Sequence, residues 1–294
     1  FFKMNNILIT GADGFIGSAL KKHLINNSFN VLDMDQKDGD ITDRKYFEQY
    51  INYDINHVFH LAGKTFVPDS WEDPYSFYKT NVLGLENVLE FCRKKNTPMT
   101  FVSAYLYGQP VRLPVCEDDI IIPNNPYAHS KYLGEELCRF YTREFNLKTT
   151  IIRPFNIFGE NQNEKFLIPE IIHKVFTDEV IKIKDLSPRR DYLYIDDLIS
   201  ALVLTIKSIG NCNVYNIGYG KSFSVKEIVD IILKLMNSDK PVISENHIRK
   251  NEISDVVADI SRARNEIGWS PSYTFEDGIC KMLQFYKTKY GKGL

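Results

Sequence analysis

The first half of the chain alternates between short apolar runs and longer stretches whose apolar residues recur every three or four positions. This alternation limits the fold more than any other feature. Asn6–Thr10 reads as a buried strand, and Phe15–Asn26 as a helix with Ile16, Leu20 and Leu24 on one face. Asn30–Asp35, His57–Ala62, Met99–Ser103 and Lys148–Arg153 read as further strands. Pro74–Lys95, which carries Val82, Leu85, Val88 and Leu89, and Pro126–Phe145 read as long helices. This rhythm predicts an α/β fold, a doubly wound parallel sheet with helices on both faces. After about Gly159 the rhythm loosens, broken at Pro169, Pro188, Gly210, Gly218, Gly220, Pro241 and Pro271. A smaller C-terminal α/β lobe over the sheet's carboxyl edge is expected there.

The bulk composition narrows the class. Of 294 residues, 44% are hydrophobic and 25% charged, as in ordinary globular proteins. A net charge of −2 gives no reason to expect nucleic acid as a partner. No apolar run reaches the length that spans a membrane. The five cysteines are scattered and odd in number, with no Cys-x-x-Cys pair. They read as reduced thiols of a cytoplasmic protein, and no metal site is expected. The chain begins Phe-Phe-Lys, and Met4 reads as lying near the natural start.

The turn after the first strand is Gly11-Ala-Asp-Gly14-Phe-Ile-Gly17. Glycines between a strand and a helix allow a tight turn and close approach of a pyrophosphate, which the helix N-terminus then favours. A strand–turn–helix of this kind points to a bound dinucleotide and a Rossmann sheet. Asp35 ends the second expected strand, where a carboxylate accepts hydrogen bonds from an adenosine ribose and repels a 2′-phosphate. That favours NAD over NADP. Asp33 is an alternative for the role; Asp40-Ile41 follows in a run that either caps the next helix through Thr42 or Asp43 or holds the adenine. The dinucleotide-binding domain is expected over residues 1–158, with return segments around 190–218, and the substrate lobe over 159–294.

Tyr127 and Lys131 stand four apart in Tyr-Ala-His-Ser-Lys, on one face of the expected helix. A lysine beside a phenol favours phenolate, and a phenol near its usual pKa of ~10 needs such help to act as a base at neutral pH. His129 reads as an exposed helix residue and His60 as a support for the end of the third strand.

These segments together resemble the extended short-chain dehydrogenase/reductases, in particular the nucleotide-sugar epimerase/dehydratase group. The resemblance rests on Ile-Thr-Gly-Ala-Asp-Gly-Phe-Ile-Gly at 9–17, Gly-Asp-Ile-Thr-Asp at 39–43, His-Leu-Ala-Gly at 60–63 and Thr-Asn-Val-Leu-Gly at 80–84. It continues with Phe-Val-Ser-Ala-Tyr-Leu-Tyr-Gly at 101–108, Tyr-Ala-His-Ser-Lys at 127–131 and Arg-Pro-Phe-Asn-Ile-Phe-Gly at 153–159. Later come Arg-Asp-Tyr-Leu-Tyr-Ile-Asp-Asp at 190–197, Tyr-Asn-Ile-Gly at 215–218, Val-Ala-Asp-Ile-Ser-Arg-Ala at 257–263 and Ile-Gly-Trp at 267–269.

The resemblance implies a triad of Ser103, Tyr127 and Lys131, with Ser103 bonding the reacting sugar oxygen, Tyr127 exchanging its proton and Lys131 anchoring the nicotinamide ribose. It implies a cofactor site of Gly11, Gly14, Phe15, Ile16, Gly17, Asp35, Asp40, Ile41, Leu61, Ala62, Gly63, Asn81, Tyr127, Lys131 and Pro154. For a nucleotide-diphosphate sugar it implies Arg190 and Arg249 at the diphosphate, Glu252 at the nucleotide ribose and Asn156 at the diphosphate or sugar, with Lys64, Thr65, Phe66 and Ser103 edging the sugar. Phe166 stands where many epimerases place an asparagine.

Dehydratases of the group carry Thr-Asp-Glu where this chain has Ser103-Ala104-Tyr105, so the acid and base for eliminating water are missing. A 4-epimerase that uses NAD is the leading expectation. A 4-keto-6-deoxy-sugar reductase that uses NAD(P)H is the alternative, and a non-catalytic NAD-binding sensor the third. The helices Pro74–Lys95 and Pro126–Phe145 match those that pair across a two-fold axis in the group, which implies a homodimer.

Overall fold

Period-two alternation decides how the sheet is covered. In the computed structural model, which describes residues 6–207, 211–247 and 253–291, Ile7 and Ile9 enter one apolar core and Leu8 the other. Phe59 and Val58, Val102 and Phe101, and Ile152 and Ile151 divide in the same way. A strand buried on both faces needs helices on both sides.

The first strands are β1 (Asn6–Thr10), β2 (Asn30–Met34), β3 (His57–His60), β4 (Met99–Val102) and β5 (Thr149–Pro154). They are followed by β6 (Asn156–Phe158), β7 (Ile181–Ile183), β8 (Arg189–Tyr194), β9 (Asn213–Ile217), β10 (Ser222–Ser224) and β11 (Val242–Ser244). The main sheet has the order β2-β1-β3-β4-β5-β9 and its neighbours pair in parallel. β10-β8-β6 and β11-β7 form two smaller sheets.

The helices are α1 (Phe15–Asn26), α2 (Val67–Glu72), α3 (Pro74–Tyr78), α4 (Gly84–Lys95), α5 (Pro126–Phe145) and α6 (Leu167–Thr177). α7 (Ile195–Thr205), α8 (Val225–Leu235), α9 (Ser261–Ile267) and α10 (Phe275–Tyr290) follow. α1 and α7 cover one face of the main sheet through Leu20, Leu24, Leu198 and Ile199. α4 and α5 cover the other through Leu85, Val88, Leu89, Cys138 and Tyr141. The first of these cores continues without a break into Phe158, Tyr194, Phe223 and Phe275 of the C-terminal segments.

The chain runs from β1 outward to β2, then returns to place β3 on the other side of β1. That reversal opens a crevice at the carboxyl ends of β1 and β3, where ligands of such sheets bind.

Two segments differ from their sequence reading. The stretch expected as one helix, Pro74–Lys95, is α3, a wider π turn over Lys79–Leu83, and α4. The π turn holds Asn81, whose side chain is bonded on both sides by groups from elsewhere in the chain. The segment after the third strand, which carries Lys64, Thr65 and Phe66 and for which no helix is expected above, runs into α2, started by Pro68 in its first turn. The helix expected after Asp40-Ile41 is a 3₁₀ helix over Arg44–Tyr50, and Asp43, one of its two expected caps, accepts from the Lys45 amide at 2.9 Å.

Candidate active site

The glycine turn is built as the sequence suggests. Gly11 sits at φ +73°, a region that L side chains rarely adopt, and its amide donates to Met34 O at 2.7 Å. A Cβ on Gly17 would run into the Gly11 carbonyl oxygen. Gly14 caps α1 with no side chain over the helix amides, and Phe15 and Ile16, partly buried, start its first turn. Helix amides left open in this way suit a pyrophosphate.

Asp35 follows the tip of β2 and accepts from the Asp13 amide at 2.6 Å and the Gln36 amide at 2.7 Å. This fixes the carboxylate at the edge of the glycine turn, and carboxylate oxygens have further lone pairs to offer. Asp33, the alternative, is paired with Lys21. Asp40 accepts from the Thr42 amide and hydroxyl, which together hold its carboxyl below the usual range. Ile41 lies against Gly84 and accepts from Asn87 at 3.1 Å.

The end of β3 is tied to β1 and to α5. Thr10 Oγ1 bonds His60 Nδ1 at 2.7 Å and accepts from the Ala62 amide at 3.2 Å; Leu61 N donates to Thr10 O. His60 supports the strand end, and its burial, with the Lys131 charge, lowers its pKa to about 3. Asn81 accepts from Lys64 N at 2.8 Å and donates to Lys64 O at 3.0 Å and to Ser130 Oγ at 2.9 Å. Ser130 in turn donates to Tyr127 O at 2.7 Å. One asparagine therefore sets the loop after β3 against the first turn of α5. A Cβ on Gly63 would stand 3.6 Å from Lys131 Nζ.

α5 begins at Asn125, whose side chain accepts from the Ala128 amide, with Pro126 in the first turn. Tyr127 and Lys131 share one face of it, and Glu135 continues the row. Lys131 is 4% exposed and donates to Val102 O at 2.8 Å. Its ammonium also lies 4.8 Å from the centre of the Phe101 ring. Burial lowers its pKa to about 8. Tyr127 is partly buried, edge-on to Phe77 at 6.4 Å, and burial pushes its phenol up. The expected lowering by Lys131 is absent because desolvation dominates at the phenol while the ammonium is turned to a backbone carbonyl. Ser103 directly follows β4, is 2% exposed, and donates to Glu135 Oε1 at 2.7 Å.

Lys64 is exposed, donates to Ser76 at 2.7 Å and lies 5.8 Å from the centre of the Phe77 ring; Thr65, also exposed, follows it. Phe66, at the start of α2, meets Phe166, at the start of α6, edge to face at 6.0 Å. Arg190 donates to Ile253 O at 2.5 Å, and its charge works against the burial that raises Tyr105. Asn156 donates to Asp191 O at 3.0 Å and so ties β6 to β8. Pro154 closes the buried β5. Arg249 and Glu252 lie outside the described residues. Among the described residues no three His, Cys, Asp or Glu side chains group to hold a metal, and no helix is long and apolar enough to cross a membrane.

Sequence reasoning missed Ser130, Phe77 and Glu135. Glu135 was findable, four residues beyond Lys131 on the same face.

The sequence pattern of the NAD-dependent epimerase/dehydratase family matches residues 7–218. The chain belongs to that family. It is an NAD(P)-dependent enzyme, and its relatives include epimerases and reductases. The UDP-glucose 4-epimerase of Halalkalibacterium halodurans is 29% identical, over 91% of this chain and 91% of that one. The dTDP-4-dehydro-6-deoxyglucose reductase of Escherichia coli is also 29% identical, over 98% of this chain and 99% of that one. Among solved structures, the UDP-glucose 4-epimerase of Thermotoga maritima with UDP-glucose superposes with a TM-score of 0.92 at 27% identity, covering 97% of this chain and all of that one.

Proposed function

We propose that this enzyme is an NAD-dependent nucleotide-sugar 4-epimerase that works by transient oxidation at sugar carbon 4. The observation that carries this reading is the placement of Tyr127 and Lys131 on the face of α5 that meets Gly63 and Asn81, beside the crevice at β1 and β3. The glycine turn, Asp35 and the loop Leu61–Gly63 hold NAD, which supplies a hydride acceptor and donor when bound. Tyr127 takes the proton of the 4-hydroxyl and returns it to the same oxygen once the keto sugar has turned its other face to the nicotinamide site. Ser103 bonds the same oxygen. Lys131 holds the nicotinamide ribose, and Arg190 and Asn156 face the substrate diphosphate, with Arg249 and Glu252 assigned by family position alone. Lys64 and Thr65 edge the sugar. Residues 1–158 with the return segments around 190–218 form the cofactor domain, and 159–294 the substrate lobe.

Ala104 is buried and the Tyr105 hydroxyl donates to Gly108 O at 2.7 Å, so neither supplies the carboxylates of a dehydratase. The second reading, a 4-keto-6-deoxy-sugar reductase, is favoured by the full-length likeness to the E. coli reductase. A panel of UDP, GDP, dTDP and CDP sugars separates the two. The epimerase yields a 4-epimer with no net change in NADH absorbance. NADH oxidised in proportion to a 4-keto sugar, with no epimer, reverses the order.

The Lys131 ammonium is fully charged well below a pH of about 8 and is lost above it. If it holds the ribose, NAD affinity is flat from pH 6 to 7 and falls as pH rises beyond about 8, as tryptophan fluorescence or calorimetry will record.

The helical face of α4 and α5 exposes Phe140 at 45% and Phe145 at 46%, and Leu83 of the π turn before it at 44%. We propose that this face pairs with a second copy. Leu83→Asp with Phe140→Asp is then expected to turn a dimer into a monomer in sedimentation, and a wild-type monomer would refute the pairing.

A further inference from the structure

Three separate stretches of chain meet at one buried carboxylate. Asp191, in β8, is wholly buried, and its Oδ1 accepts from the Tyr219 amide at 2.6 Å. Its Oδ2 accepts from the Gly220 amide at 2.8 Å and from the Ala258 amide at 3.0 Å. Tyr219 and Gly220 follow β9, the edge strand of the main sheet, whereas β8 belongs to the small sheet β10-β8-β6. Burial raises the pKa of this carboxyl to about 6, and the three amides work against the rise, so at neutral pH the group is ionised. The stretches are in close contact: a Cβ on Gly218 would stand 2.6 Å from the Ala258 Cβ and 3.0 Å from Asp191 Oδ2.

The residue before Asp191 is Arg190. Its Nη1 donates to Arg189 O at 2.7 Å and to Ile253 O at 2.5 Å, so the place of Ile253 sets the plane of the guanidinium group. Ile253 begins a stretch held against β8 at two further points, Arg189 N on Ser254 O at 2.9 Å and Ala258 N on Asp191. On its far side the same stretch pairs with Val115, whose amide donates to Val257 O and whose carbonyl accepts from Asp259 N, both at 2.8 Å. Without the Asp191 carboxylate, the Ala258 end of the stretch and the Tyr219–Gly220 turn lose their common anchor on β8.

We propose that Asp191 is a positioning residue that holds Arg190 in place for the diphosphate of the substrate. This rests on the reading of Arg190 as a diphosphate contact. Successive side chains of a strand point to opposite faces, so Asp191 works behind the arginine. Its charge is spent on backbone amides, and through them it fixes the carbonyl that orients the guanidinium group.

Asp191→Asn tests this in the enzyme loaded with NAD. The side chain keeps its shape, and whichever way the amide faces, its NH₂ meets a backbone N–H: that of Tyr219 one way round, those of Gly220 and Ala258 the other. A neutral group costs less to bury than a charge, so the variant is expected to fold. The probes are the nucleotide sugar that turns over fastest in the panel above and its bare nucleoside diphosphate, whether UDP, GDP, dTDP or CDP. The KM of the first and the Kd of the second are expected to rise together by roughly 10- to 100-fold, while kcat and NAD affinity stay within about threefold. Placed on Arg190→Ala, the same change is expected to cost no more than about twofold, because the group it acts through is gone. Equal losses in both backgrounds, or no loss in the wild-type background, with Arg190→Ala itself weak for the nucleoside diphosphate, would overturn the inference alone. Undiminished nucleoside diphosphate binding by Arg190→Ala would overturn the diphosphate reading and the inference with it. If Asp191→Asn does not fold, Gly218→Ala drives a methyl group between Asp191 and Ala258 while leaving the carboxylate in place, and the same outcomes apply.

Discussion

Tyr127→Phe is expected to lower kcat by roughly 10³-fold or more while leaving the fold and NAD affinity intact. The change removes one oxygen and no ring packing, so the edge-on contact with Phe77 at 6.4 Å survives. No other described group in the crevice is built to replace the phenol. The Ser103 hydroxyl donates a hydrogen bond to Glu135, and His60, with a pKa of about 3 and its ring bonded to Thr10, is buried under the strand end. The helix start is unaffected, because Asn125 and Pro126 set it and Ser130 bonds the backbone of Tyr127, not its side chain. Melting temperature and NAD titration, run beside turnover, separate lost chemistry from lost structure. Substantial turnover in this variant would point to a different base.

Gly17→Ala carries the second large effect. The added methyl group meets the Gly11 carbonyl oxygen and the Ala12 Cα, both backbone, so no side chain can swing aside. Gly11 cannot yield in turn, because its φ of +73° and its bond to Met34 O fix the turn, and a Cβ built on it would stand 2.8 Å from Ala62 N. Such overpacking costs about 1–3 kcal/mol of stability. The larger loss is in binding, since the turn and the first amides of α1 must move together. NAD affinity is expected to fall by at least about 100-fold, the equivalent of two well-made hydrogen bonds to a charged group. Calorimetric titration of the purified variant checks it; wild-type affinity would mean that the pyrophosphate sits elsewhere.

The parts of the fold that were legible are those whose cause is local. Asn6–Thr10, Phe15–Asn26 and Pro126–Phe145 stand in the structure with the bounds read from the sequence, because apolar periodicity and Asn125–Pro126 define them without help from the rest of the chain. The π turn at Lys79–Leu83 was not legible, because Asn81 is drawn out by Lys64 and Ser130, which only the fold brings near. α2 and the 3₁₀ helix at Arg44–Tyr50 are too short to show a period.

The site divides in the same way. The four-residue spacing of Tyr127 and Lys131 guarantees a shared face, and that face meets Gly63. Direction and charge state were not readable. The Lys131 ammonium turns to Val102 O, burial raises the phenol, and the Ser103 proton goes to a carboxylate whose own partner comes from β5. Those facts belong to contacts between elements, which spacing along one helix does not record.

The most direct measurement follows deuterium placed at carbon 4 of the nucleotide sugar that turns over. Transient oxidation and return at that carbon predict a 4-epimer that keeps its label, seen as an unchanged mass of the product sugar by mass spectrometry. An epimer formed with the label lost to water would contradict the account, because the carbon would then have exchanged a proton with solvent where a hydride should have left and come back.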